Sequence, residues 1–147
     1  METLFTVLHV GTAVFLIGPM AILPMTAMRA VRAGHGGQVA SLARSTFVIS
    51  LASLIVVVFG FAVLGTSDAK YNLSITTPWI LFSLILYLVA LALTLVAVVP
   101  ALRSAAEHLT RPDRGELAPN DYQRIAMASG IASLLLVVVV VLMAWKP

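Results

Sequence analysis

The stretch LFTVLHVGTAVFLIGPMAILPMTAM, Leu4 to Met28, decides the fold. A helix needs about 20 predominantly apolar residues to cross a hydrocarbon core of roughly 30 Å, and this run exceeds that length. Three further runs, at about 45–64, 79–100 and 125–145, meet the same test. Residues 1–147 therefore read as a single membrane domain, an all-α, polytopic four-transmembrane-helix bundle. Tyrosine apart, His9 is the only ionisable side chain inside a predicted span.

Composition points the same way. Of the 147 residues, 61% are hydrophobic and 10% charged, where soluble domains carry about a quarter charged residues. Cysteine is absent, which excludes disulfides, thiolate metal sites and dithiol redox chemistry. The formal charge is +3, but the basic residues flank the spans, so nucleic acid is not an expected partner. Their expected role is to set orientation and to meet anionic headgroups. Glu2 stands where a signal peptide would carry basic residues, and the first run outlasts a signal peptide's apolar region, so this span is expected to be retained.

Along the chain, Gly18, Pro19 and Pro24 interrupt the first span. Each proline removes a backbone donor and crowds the preceding turn, which predicts a kink. Breaks in lipid persist where neighbours satisfy the freed carbonyls, so the first helix is expected to be packed and central. Arg29 to Arg44, with Gly34-His35-Gly36-Gly37, reads as a loop and a short amphipathic lead-in to the second span. Thr66 to Pro78 is a short polar connection. The third span has room to continue as a water-exposed helix through Arg103 and His108, and the longest loop follows, to Arg124.

Arginine sets the expected topology. Arg29, Arg32, Arg44, Arg103, Arg111, Arg114 and Arg124 all lie in the first and third connections, and the other side holds Lys70 and Lys146. The positive-inside rule puts both arginine-rich loops in the cytoplasm and both termini outside a plasma membrane. Tyr71, Trp79 and Trp145 would then anchor the outer interface and Tyr122 the inner one. A weak internal repeat matches Arg44 and SLASLIVV at 50–57 to Arg124 and GIASLLLV at 130–137, as two tandem helical hairpins would.

Helices associate in lipid through small residues and hydroxyls. Ser83, Tyr87, Ala90, Thr94 and Ala97 form such a stripe on the third span, Ser50, Ser53 and Gly60 on the second, Ser129, Gly130 and Ser133 on the fourth. His9 lies about two turns into the first span, roughly 10 Å deep at 1.5 Å per residue, where an ionisable group is a functional candidate. Its roles divide between a structural bond to a hydroxyl such as Tyr87 or Ser83 and ligand binding. Met20, Met25 and Met28 have the thioethers that Cu(I) favours, but methionine also fills gaps around kinks. His35 and His108 fall in loops, so no histidine pair for haem lies in the membrane. No nucleophile, base and acid stand together, no membrane carboxylate is present, and neither a metal nor another cofactor is expected.

The motif Leu8-His9-Val10-Gly11-Thr12-Ala13-Val14, Gly18 and the basic turn at Arg29 resemble the start of an uncharacterised family of small bacterial four-helix integral membrane proteins. Its first helix also faintly resembles that of copper-resistance D proteins, which would want further outward histidines or methionines. The resemblance implies the layout and no reaction. The expected function is a non-enzymatic accessory or assembly subunit of a larger plasma-membrane complex, or a lipid-contacting homo-oligomer. The alternative is a transporter or ligand-binding protein for a small hydrophobic molecule, proton or copper, worked through His9 and the Ser83, Tyr87 and Thr94 stripe.

Overall fold

Helix α1 runs from Glu2 to Arg32 through both Pro19 and Pro24. It is followed by α2 (Gly36–Thr66), α3 (Pro78–Thr110) and α4 (Pro119–Trp145). The computed structural model describes residues 1–67, 69–111, 113 and 119–146. Arg114, Asp68 and Glu116 lie outside the described residues, as does the side chain of Tyr71. Four helices long and apolar enough to span a membrane make the molecule an integral membrane protein.

The helices outrun the bilayer. At 1.5 Å per residue, the 31 residues of α1 or α2 extend about 46 Å, well beyond a hydrocarbon core of roughly 30 Å. The excess sits at the end that carries the arginines. Arg29 to Arg44, expected to be a loop and a short amphipathic lead-in, is helical throughout except for a tight turn. His35 N–H bonds the Ala30 carbonyl and Gly34 N–H the Val31 carbonyl, both at 3.1 Å. This crossed pair closes α1 around a residue in left-handed conformation, here Gly34 at φ +74°. Gly34→Ala is expected to cost about 1–2 kcal/mol, measured as a lower midpoint in sodium dodecyl sulfate unfolding.

The third span does extend through Arg103 and His108, yet it is not merely water-exposed. Leu102, Ala105 and Ala106 pack with Ala27, Ala30, Val39, Ala43 and Ile125 in a core of mostly small side chains at the arginine end. A second core, of Ile17, Met20, Val56, Tyr87, Leu91 and Leu136, fills the membrane region. Gly36, at the start of α2, fits against the end of α3 only without a side chain, since a β-carbon there would stand 2.8 Å from Thr110 Cγ2 and 3.1 Å from the Leu109 carbonyl carbon.

Helix α3 changes partner along its length. Pro78–Leu93 packs on α4, whereas Val99–Thr110 packs on the first half of α2 and barely meets α4. Between these segments lies a π turn, Thr94–Val98, where Val99 N–H reaches back to the Thr94 carbonyl. Pro100 explains the wide turn, because its ring has no N–H and crowds the carbonyl four residues earlier.

The expectation that α1 is packed and central is overturned. In the most apolar stretch of α1 only 11% is buried, against 39% in α3. Its inward face is narrow, with Ile17, Met20, Pro24, Ala27, Ala30 and Val31 buried, while Val7, Val14, Phe15 and Ile22 are exposed.

Candidate functional site

The polar residues of the membrane region form a set of ties between helices. At Ser53 the regular ladder of α2 breaks between Gly36–Ala52 and Leu54–Thr66, and Val56 N–H turns back to the Ser53 carbonyl at 3.0 Å. Ser53 Oγ–H donates to the Ser50 carbonyl at 2.6 Å. With its one proton so used, Ser53 Oγ accepts from the Tyr87 hydroxyl of α3 at 2.6 Å. Tyr87 and Ser53 are both buried. Ser50, one turn away, is fully buried and its Oγ has no partner among the described residues.

His9 does not bond Tyr87 or Ser83, as the sequence suggested. It bonds α2, with Nδ1 2.8 Å from the Val56 carbonyl. A carbonyl only accepts, so Nδ1 carries the hydrogen and in the neutral ring Nε2 keeps the lone pair. Gly60 makes the approach possible, because a β-carbon there would stand 3.0 Å from His9 Cε1. Ser83 and Thr94 are buried as expected, but their hydroxyls turn back to the Trp79 carbonyl at 2.7 Å and the Ala90 carbonyl at 2.8 Å of their own helix.

A third tie lies beside the helix-one prolines. Ser133 Oγ–H of α4 donates to the Ala21 carbonyl at 2.8 Å, between Gly18-Pro19 and Pro24. Ser53 and Ser133 are the matching serines of the internal repeat, and each bridges its own hairpin to the first helix of the other. The arginine end repeats this pattern. Arg32 of α1 stacks 5.1 Å over the Tyr122 ring of α4, and Arg103 of α3 stacks 5.0 Å over the Phe47 ring of α2. Arg29, Arg44, Arg111 and Arg124 complete an exposed basic collar there.

The three methionines do not converge. Met20 is buried in the membrane core, Met25 is half exposed, and Met28 borders the arginine-end core with Ser129 Oγ 3.6 Å from its sulfur. Among the described residues no group of three or more histidine or acidic side chains is placed to hold a metal ion.

The polar ties thus join α1 to α2, α2 to α3 and α1 to α4. Among the described residues the α3–α4 seam has none of them, and toward the arginine end it opens into a cleft of about 590 Å³. Sequence reasoning passed over this feature, and Pro100 at the end of a predicted span was its one signal.

Fold and interior together define a small polytopic helical membrane protein held by sparse interhelical hydrogen bonds. Residues 3–147 match the family described as "Predicted integral membrane protein (DUF2269)", and the chain belongs to that family. No curated protein and no solved structure matches the chain, and the likeness to copper-resistance D proteins has no counterpart in these comparisons.

Proposed function

We propose that the protein is a non-enzymatic membrane subunit whose first helix docks on another transmembrane helix, supplied by a larger plasma-membrane complex or by a second copy of the chain. The observation that carries this reading is the uncovered face of α1. Val7, Gly11, Val14, Gly18, Ile22 and Met25 recur at steps of three and four, so they form one stripe. Its large side chains are exposed, and a β-carbon at Gly11 or Gly18 would meet nothing within 4 Å. Small residues on such a stripe let two helix backbones approach closely in lipid. The arginine collar belongs on the cytoplasmic side by the positive-inside rule.

The alternative, transport or ligand binding through His9 and the hydroxyl stripe, draws less support. The Ser83, Thr94, Tyr87 and Ser53 hydroxyls are already engaged inside the bundle. Gentle purification from the native membrane, followed by native mass spectrometry, absorption spectra and metal analysis, tests the proposal. The expected result is a fixed-stoichiometry complex or closed oligomer without chromophore or metal, disrupted by Gly11→Leu with Gly18→Leu. A monomer carrying haem, copper or another prosthetic group would overturn it.

A further inference from the structure

We propose that the cleft between α3 and α4 is a binding site for one phospholipid bearing a primary-ammonium headgroup. Past the π turn the two helices part, and the space between them has an apolar floor continuous with the outer surface. Val96, Met127 and Ile131 line it and are 75%, 67% and 48% exposed. At membrane depth such a floor meets acyl chains rather than water.

The mouth has a different chemistry. His108, Asp121 and Arg124 line it, and Asp121 and Arg124 are both exposed. They stand three residues apart on α4, a spacing that sets β-carbons roughly 5–6 Å apart on one helix face. A guanidinium beside a carboxylate is complementary to a zwitterion, the first binding phosphate through paired N–H groups and the second accepting from an ammonium. A headgroup with phosphate alone meets the Asp121 charge with nothing to offset it, and a trimethylated ammonium has no N–H to give. The mouth lies level with the arginine collar, where headgroups are expected.

The test is native mass spectrometry of the full chain titrated with phosphatidylethanolamine, phosphatidylglycerol and phosphatidylcholine of identical acyl chains. One phosphatidylethanolamine is expected to stay bound, about tenfold more tightly than the others, as one charge-assisted hydrogen bond allows. Asp121→Asn should erase the preference over phosphatidylglycerol, Arg124→Gln should weaken all three lipids, and Ile131→Trp should expel the bound lipid by filling the floor. The first two alter exposed side chains, so circular dichroism should stay unchanged. Equal retention of the three lipids, or undiminished phosphatidylethanolamine on Ile131→Trp, would overturn the site.

Discussion

Gly60→Val is expected to weaken the bundle by about 1–3 kcal/mol, the range for overpacking a closed interface. The first added carbon would already stand 3.0 Å from His9 Cε1 and 3.3 Å from Nδ1. Swinging the ring aside relieves the clash only by breaking the bond from Nδ1 to the Val56 carbonyl, and that bond is a principal polar tie between α1 and the second half of α2. His9→Ala alone should cost less, about 0.6–1.7 kcal/mol for an interhelical hydrogen bond in a bilayer. With His9→Ala already present, the ring is gone and Gly60→Val has little left to displace. Sodium dodecyl sulfate unfolding of the two single variants and the double variant reads the coupling directly. Strict additivity would mean that Gly60 and His9 do not act as one contact.

The four spans were legible because lipid permits few structures. A backbone polar group has no water partner there, so each long apolar run is a helix. Where the helices end was less legible. Past the membrane, composition turns polar and alanine-rich, and Arg29 to Arg44 reads as a loop with only a short amphipathic lead-in. The inward positions were present at helical spacing, with Ala27 and Val31 on α1 and Val39 and Ala43 on α2, but short alanine side chains leave a weak apolar signal. Gly34 marked the true stop.

The polar residues singled out on the second and third spans lie inside the bundle, but in other pairs than those expected. Ser50, Ser53, Ser83, Tyr87 and Thr94 are all buried, and sequence spacing on a helix is enough to find them. Spacing cannot supply the acceptor of His9, because every residue offers a backbone carbonyl; only the gap at Gly60 selects Val56. The placing of α1 at the centre failed for a related reason. Two prolines suggested many compensating neighbours, whereas a bond from Ser133 to the Ala21 carbonyl reaches this segment and most of the helix face stays bare. The α3–α4 cleft depends on α3 leaving one partner for another, a tertiary event that Pro100 hints at and does not specify.

Leu102→Ala is expected to destabilise the protein by about 3–5 kcal/mol, while Leu136→Ala, equally buried, costs roughly 1–2 kcal/mol. Leu102 is 0% and Leu136 1% exposed, so the difference does not come from burial. It comes from the solvent that receives the side chain when packing is lost. Leu136 lies on the fourth membrane span, and lipid tails are as apolar as leucine, so its truncation forfeits contacts but little transfer free energy. Leu102 lies beyond Pro100 beside Arg103, in the part of the bundle that helix length carries past the hydrocarbon core. Its truncation forfeits the contacts and the hydrophobic transfer from water, and leaves a cavity among alanines too short to collapse into it. Leu134→Ala, with the side chain 65% exposed to lipid, supplies the near-zero reference. The ordering Leu102 over Leu136 over Leu134 in midpoint loss would locate the water boundary between the levels of Leu136 and Leu102. Equal losses at Leu102 and Leu136 would move that boundary past the arginine collar and make the alanine-rich core a membrane core as well.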